Sequence, residues 1–206
     1  MPENNFNRNV FINCPFDDDY KSLLRALLFT IIHCGYNPRI SLENADSSQS
    51  RLDKIQGLIQ ASKYSIHDIS RCKAAKKNEF YRMNMPFEIG LDFGCKKYGN
   101  GELNSKEILI LAAEQYQYKK ALSDLSGIDI QVHNGNAEEM IRKVRDWFYT
   151  KNKNVEQPTT IWDDYNVFYA DLYKCLGDKN ANNMSILEFV DKVKEYVTSL
   201  RTQVNS

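Results

Sequence analysis

The sequence is poor in the residues that build metal centres and disulfide frameworks. Its cysteines, Cys14, Cys34, Cys72, Cys95 and Cys175, are scattered, odd in number and contain no C-x-x-C pair. The three histidines are also far apart in the chain. This pattern is typical of a reduced compartment and argues against a disulfide scaffold or a zinc site. We therefore expect a cytoplasmic protein without a metal centre.

The sequence also lacks an excess of charge of one sign and a long apolar run. It has 27 basic and 27 acidic residues, whereas proteins that bind polyanions usually carry a basic excess. The amino terminus has no basic segment followed by an apolar core. The most apolar stretch, residues 23–32, is interrupted by Arg25 and is too short to span a bilayer. We expect neither nucleic acid nor a membrane as a partner.

Several catalytic motifs are missing as well. No G-x-G-x-x-G or G-x-x-x-x-G-K-[ST] sequence follows a predicted strand, so nothing predicts the phosphate cradle of dinucleotide-dependent redox enzymes or P-loop enzymes. No G-x-S-x-G sequence predicts the nucleophile elbow of an α/β-hydrolase. The remaining candidate is a site built on carboxylates, which suit glycosidic cleavage because a sugar cation develops in its transition state.

What is present is an alternation of short apolar runs and amphipathic segments. Strands are predicted at residues 9–13, 39–42, 64–69, 108–112 and 128–132, and helices at about 17–34, 49–62, 85–96 and 137–149. Strands separated by helices predict an α/β fold with a five-stranded parallel sheet and helices on both faces.

The chain after residue 150 has a different pattern. Residues 151–160 are polar and contain Pro158, as in a linker or a long loop. Two helices are predicted beyond it, at 162–176 and 185–200, with a polar turn at 177–183. We therefore predict an α/β domain at residues 1–150 and a C-terminal helical hairpin, an extension, at 151–206.

Ligands of open α/β sheets bind outside the carboxyl ends of the strands. The side chains to examine are therefore those that follow the predicted strands: Phe16 and Asp17 after the first, and Asp68, Ser70 and Arg71 after the third. A basic run begins at Arg71 and continues to Lys77. It predicts either a contact with substrate phosphates or an ordinary solvated loop.

The helix that follows this loop carries Glu88 and Asp92, four residues apart, among apolar residues on more than one side. Two acids on one stripe of a largely buried helix suggest a functional site with Glu88 at its centre. We place Glu88 in the first turn, where free amide groups and the helix dipole favour an ionised carboxylate. The alternative is that Glu88 is only a dipole-favoured acid and that Asp92 reaches solvent.

The positions of two further residues in the predicted elements predict the surroundings of their side chains. Arg51 begins a helix, where a cation opposes the dipole, so it is expected to answer an anion or an acid nearby. His67 precedes Asp68 on a strand, so its side chain is expected to point to the other face and into the packing.

Four segments together resemble the superfamily that unites Toll/interleukin-1 receptor (TIR)-like domains with nucleoside 2-deoxyribosyltransferases. The resemblance covers about residues 9–149 and rests on these short motifs: Val10-Phe11-Ile12-Asn13 with Asp17-Asp18, Arg51-Leu52-Asp53-Lys54-Ile55, Ser65-Ile66-His67-Asp68-Ile69-Ser70, and Pro86-Phe87-Glu88-Ile89-Gly90. It implies a flavodoxin-like sheet with a catalytic glutamate at Glu88 and, by comparison with the transferase branch, an orienting aspartate at Asp68.

The branches of this superfamily imply different functions. Enzymatic TIR-like members cleave the nicotinamide–ribose bond of NAD, often in bacterial antiviral defence, with NAD as a substrate rather than a cofactor. The transferase branch carries a Gly-Thr pair shortly before its glutamate, where this chain has residues 84–87, Asn-Met-Pro-Phe. Other members only bind nucleotides or proteins.

The resemblance leads to one expected function and two alternatives. We expect N-glycosidic cleavage of NAD or a related nucleotide, with Glu88 and Asp68 as catalytic residues. The substrate-binding candidates are Phe16, Asp17, Arg51, Ser70, Arg71 and Asp92. A non-catalytic signalling module that binds a nucleotide or another TIR-like domain is the first alternative, and a nucleoside 2-deoxyribosyltransferase is the second. We expect self-association, and in the signalling module the C-terminal hairpin is the expected surface for oligomerisation or for a partner.

Overall fold

The computed structural model describes residues 5–71, 83–120 and 122–204, with the backbone only at residues 117, 203 and 204. Within these ranges the chain forms a five-stranded sheet in the order β2-β1-β3-β4-β5, in which every neighbouring pair is parallel. The strands are β1 (Asn9–Asn13), β2 (Asn37–Arg39), β3 (Tyr64–Asp68), β4 (Glu107–Ala112) and β5 (Gln131–Val132). The α/β class and the flavodoxin-like strand order are thereby confirmed.

The strand order places a topological switch at the centre of the sheet. The chain adds β2 on one side of β1, then crosses to the other side to add β3, β4 and β5. Val10, Phe11, Ile12 and Asn13 of β1 lie opposite residues 64–67 of β3. In sheets of this kind the crevice outside the carboxyl ends of the two strands at the switch binds ligands.

The helices that the structure describes are these: α1 (Lys21–His33), α2 (Arg51–Gln60), α3 (Asn84–Tyr98), α4 (Ala137–Tyr149), α5 (Pro158–Leu176), α6 (Asp178–Asn183) and α7 (Ile186–Val204). Side chains cap the starts of α2, α4 and α7, because Ser50 Oγ accepts from the Asp53 amide, Asn136 Oδ1 from the Glu139 amide and Ser185 Oγ from the Glu188 amide. In the described part of the chain, no helix has both the length and the apolarity needed to cross a membrane.

Two predicted strands differ from the structure. Strand β2 ends at Arg39, and residues 41–43 form a 3-10 turn in which the Ile40 amide donates to Glu43 Oε1 at 2.6 Å. Strand β5 has two residues instead of five. Ile128 and Ile130 still pack against a hydrophobic cluster, although they lie outside the strand. Apolar residues at alternate positions are therefore packed here without forming a paired strand.

The chain divides into two compact units that interleave along the sequence. The first contains the described residues up to Tyr20 and those from Asn37 to Gly135, with the sheet, α2 and α3. Its core has two clusters, one around Ile69, Ile89 and Ile110 and one around Phe11 and Ile55. The predicted domain boundary after residue 150 stays a prediction.

The second unit contains residues 21–36 and the described residues from Asn136 onward. Within it the C-terminal helices share a core with α1: the Phe29 ring lies 5.3 Å from that of Tyr165 and 5.7 Å from that of Phe168. The buried Arg25 donates to the Ala181 carbonyl at 2.9 Å and lies over the Phe189 ring. The predicted hairpin is thus formed by α5 and α7, with the short helix α6 in place of a simple turn.

Candidate functional site

The carboxyl ends of β1 and β3 lie side by side and bring several polar groups together. Asn13 ends β1 and pairs with His67 of β3, directly before Asp68. Phe16 and Asp17 follow β1, and Ser70 and Arg71 follow β3. This edge is where the sequence predicted a site.

Asp68 is the centre of a buried hydrogen-bond network at this edge. Its Oδ2 accepts from the Tyr20 hydroxyl at 2.5 Å and from His133 Nε2 at 2.9 Å. Its Oδ1 accepts from the Ser70 amide at 2.8 Å and from the Ser70 hydroxyl. Burial raises the pKa of Asp68, but the hydrogen bonds from His133, Ser70 and Tyr20 outweigh it, so the pKa lies below its ordinary value. Asp68 is therefore a carboxylate committed to internal partners.

Ser70, His133 and Asp68 are close together but do not form a nucleophilic triad. The Gly135 amide donates to His133 Nδ1 at 3.1 Å, so the ring hydrogen belongs on Nε2. That same Nε2 lies 3.0 Å from Ser70 Oγ and also faces Asp68. A base would have to present a lone pair to the serine hydroxyl. This arrangement instead holds both side chains around the aspartate.

Glu88 lies in the second turn of α3, because the helix begins at Asn84 and has no acid in its first turn. The first-turn placement predicted from the sequence is wrong, and so is the expected stabilisation of the ionised form by free amides. The Glu88 side chain is only 6% exposed. Burial raises its pKa, and the nearby charge of Arg51 opposes that rise.

Arg51, the first residue of α2, faces Glu88. Its Nη2 lies 3.5 Å from Glu88 Oε1, and its side chain is 60% exposed. Arg51 is the partner of the Glu88 carboxylate among the described residues. The expectation that Arg51 answers an acid nearby is confirmed.

Asp17 and Arg71, two predicted substrate-binding residues, pair with each other. Arg71 Nη2 donates to Asp17 Oδ1 at 2.8 Å. This hydrogen bond raises the pKa of Arg71, against the opposing effect of burial. Phe16 beside them is partly exposed. The other basic residues predicted to contact phosphates, Lys73, Lys76 and Lys77, lie outside the described residues.

Cys14, which directly follows β1, is a buried thiol at this edge. Burial raises the pKa of its thiol, and the negative charges of Asp68, Glu88 and Asp17 raise it further. The electrostatic effects of three carboxylates therefore reach one buried thiol. A thiol in this setting stays protonated, which argues against Cys14 as a nucleophile.

Asp92 is fully buried, one helical turn beyond Glu88. His67 Nε2 donates to its Oδ2 at 2.9 Å, and Lys106 Nζ lies 3.2 Å from its Oδ1 as an ion pair. The alternative in which Asp92 reaches solvent is wrong. Its role in substrate binding stays a prediction. The expectation that His67 is packed is confirmed, because its ring is buried and lies 5.9 Å from that of Phe11.

Four residues of these hydrogen-bond networks were not predicted from the sequence as site residues: Asn13, Tyr20, Lys106 and His133. The rule that found Asp68 also applies to His133, which directly follows β5. Asn13 ends β1 in the same way. No local pattern marks Tyr20 or Lys106, whose partners are distant in the chain.

Two grooves of the first unit, lined by described residues, lie away from Glu88 and Asp68. One of about 360 Å³ is lined mainly by residues of α2 and α3, among them Ile59, Leu91 and Cys95. A second of about 440 Å³ is lined by Phe6 and Gly57 among others. Neither is lined by Glu88 or Asp68. The described residues include no cluster of three or more histidine, cysteine or acidic side chains able to hold a metal ion.

Comparison with protein-family models, with curated proteins and with solved structures found no match for this chain.

Proposed function

We propose that the protein cleaves the N-glycosidic bond of NAD or a related nucleotide, with Glu88 as the carboxylate that meets the ribosyl cation. The observation that carries this proposal is the contrast between the acids of the site. Among the described residues, Asp68 and Asp92 are held by strong internal partners, whereas Glu88 has one long contact, to Arg51. Acids whose environments push their pKa values apart are typical of catalytic sites.

The chemistry of the bond fits a site with one uncommitted carboxylate. When the bond between the anomeric carbon and a pyridinium nitrogen breaks, the electron pair goes to nitrogen and neutralises it. The leaving base then needs no proton from the enzyme. Glu88 stabilises the ribosyl cation or bonds to the anomeric carbon, and water completes hydrolysis with loss of a proton.

Arg51 supplies the charge that a nucleotide requires. Its guanidinium is mostly exposed and its contact with Glu88 is long, so it can turn to a phosphate without losing a strong bond. Phe16, partly exposed at the same sheet edge, offers a ring face to a base. The resemblance to the TIR-like superfamily supports NAD as the substrate, a place in bacterial antiviral defence or signalling, and self-association.

The test is incubation of the full-length protein with NAD at low and high protein concentration, with free nicotinamide measured by chromatography. We expect release that increases more than in proportion to protein concentration if self-association activates the site. NAD binding by calorimetry without release at any concentration would reject the enzyme and favour the signalling module. Base exchange on deoxynucleosides without NAD cleavage would favour the transferase.

A further inference from the structure

A buried chain of polar groups runs from the interior of the first unit to the start of α3. Lys106 Nζ lies 3.2 Å from Asp92 Oδ1, and Asp92 Oδ2 lies 2.9 Å from His67 Nε2. His67 Nδ1 lies 3.1 Å from Asn13 Nδ2, which also donates to the Met85 carbonyl at 3.0 Å. The four polar side chains are all buried.

The direction of each hydrogen bond follows from its chemistry. The Asn13 amide donates to His67 Nδ1, so the His67 ring hydrogen lies on Nε2 and is donated to the Asp92 carboxylate. The second hydrogen of the same amide serves the Met85 carbonyl. The chain therefore has one consistent polarity from Asn13 to Asp92.

Filling a core with buried polar side chains costs free energy that apolar side chains would not. Burial raises the pKa of Asp92, but the hydrogen bond from His67 and the charge of Lys106 outweigh it, so that the pKa falls below its ordinary value. Buried ion pairs are often no more stabilising than apolar residues of similar volume. Stability does not explain this cluster by itself, whereas a demand for one defined geometry does.

The cluster joins the two helices that carry Arg51 and Glu88. Lys106 Nζ donates to the Ile59 carbonyl at 2.7 Å and to the Ser62 carbonyl, at the C-terminal end of α2. The same ammonium group pairs with Asp92 of α3. Arg51 begins α2, and Glu88 lies one turn before Asp92, so one cation anchors both helices.

The start of α3 is held by Asn13, at the other end of the same buried chain of polar groups. Among the described residues no side-chain hydrogen bond caps the helix at Met83. The donation from Asn13 to the Met85 carbonyl instead ties its first turn to the end of β1. Glu88 follows Met85 by three residues, so a shift of that turn moves its carboxylate relative to Arg51.

We propose that Asn13, His67, Asp92 and Lys106 are positioning residues that hold Glu88 in its place opposite Arg51. The kinetic consequence rests on the proposed function, whereas the geometric one does not. A geometric role predicts that breaking the chain alters both the turnover and the titration of Glu88 in a protein that is still folded.

The test compares His67→Leu with His67→Gln in the full-length protein. Leucine breaks the chain, whereas a glutamine oxygen can accept from Asn13 and its amide can donate to Asp92. We expect kcat for NAD cleavage to fall by about 10–100-fold in His67→Leu, because small displacements of a catalytic group cost that much. KM should change by less than about twofold, and the glutamine variant should recover most of kcat.

A second measurement is independent of activity. The carboxyl carbon of Glu88, assigned with Glu88→Gln, is titrated by carbon-13 NMR. In His67→Leu the midpoint should move toward the ordinary value for glutamate, because a displaced carboxylate becomes less buried and alters its distance from Arg51. The Thr30→Val variant is the control, since it removes a buried hydroxyl of α1 that donates to the Ala26 carbonyl. It should leave the Glu88 titration unchanged.

The outcomes separate the two proposals. A folded His67→Leu protein with wild-type titration of Glu88 would overturn the positioning role. A shifted titration in a protein whose wild type never cleaves NAD would reject the proposed function and keep the positioning role. If His67→Leu does not fold by near-ultraviolet circular dichroism, Asn13→Ala replaces it, because that change leaves the contacts of Asp92 with His67 and Lys106 in place.

Discussion

The Arg51 guanidinium and the Glu88 carboxylate lie 3.5 Å apart, yet the first side chain is 60% exposed and the second 6%. One partner can therefore move into solvent or toward a ligand, while the other cannot. Removal of Arg51 would leave a buried carboxylate whose pKa is already raised by burial. This asymmetry is what we expect of a buried carboxylate that stabilises a cationic centre in a substrate.

Replacement of Glu88 by glutamine should abolish glycosidic cleavage and leave the fold intact. Glutamine keeps the shape but removes the charge that meets the ribosyl cation, a contribution typically worth about 10²–10³ in rate. The measurement is nicotinamide release by the purified variant. Glu102→Gln, a change at an exposed glutamate of the same unit, should keep wild-type turnover. Unchanged turnover in Glu88→Gln would show that the site is elsewhere.

The same variant should differ from wild type in how its stability depends on pH. Burial raises the pKa of Glu88 above its ordinary value of 4.5, so the folded protein holds this proton more tightly than the unfolded chain. The free energy of unfolding of the wild type therefore falls as pH rises from 4.5 through the folded pKa.

Glu88→Gln should consequently be the more stable protein at neutral pH, and the difference should vanish below pH 4.5. Urea unfolding at several pH values measures it. In the wild type, cleavage that needs ionised Glu88 should decline on the acid side at a pH above 4.5. A Glu88→Gln protein less stable than wild type at neutral pH would contradict the raised pKa.

Asp68→Asn should reduce turnover less than Glu88→Gln but reduce stability more. Asparagine has one acceptor oxygen for donors that now share a carboxylate, and each buried donor left unsatisfied costs about 1–3 kcal/mol. Denaturant unfolding measures the loss, and Tyr20→Phe, which removes a single donor, should cost less. Equal turnover of Asp68→Asn and wild type would remove Asp68 from the catalytic machinery.

The pH dependence of the Asp68 contribution has the opposite sign to that of Glu88. Its folded pKa is lowered, so the stability it provides is fully present above the ordinary value of 3.8 and is lost as pH falls through the folded pKa. The gap between wild type and Asp68→Asn should therefore narrow in strong acid. A gap independent of pH would mean that the hydrogen bonds to Asp68 do not favour its charged form.

The C-terminal helices should prove necessary for folding of the second unit. Phe168 of α5 is buried against Phe29 of α1, whereas the neighbouring Val167 is 53% exposed. Phe168→Ala should lower the free energy of unfolding by about 3–5 kcal/mol. Val167→Ala should change it by less than about 0.5 kcal/mol. A chain that ends after residue 153 should lose its near-ultraviolet circular dichroism, and a native spectrum would show that α1 does not need these helices.

The sequence by itself determined most of the elements and the edge of the sheet at which the candidate site lies. Apolar periodicity is a local property, so β1, β3, β4 and α4 could be predicted within a few residues. The carboxyl ends of parallel strands meet wherever such a sheet forms, so Asp68, Ser70 and Asp17 could be placed together before any contact was known.

The tertiary structure decided which of the acids has strong partners among the described residues. No local sequence pattern near Asp92 predicts its contacts with Lys106 and His67. None near Asp68 predicts its hydrogen bonds from Tyr20 and His133, because these pairs form only when distant segments pack. The helix dipole, a local effect, predicts a lowered pKa for Glu88. The pKa is instead raised, because burial is set by the fold. Periodicity therefore located the carboxylates, and packing assigned their partners and their charge.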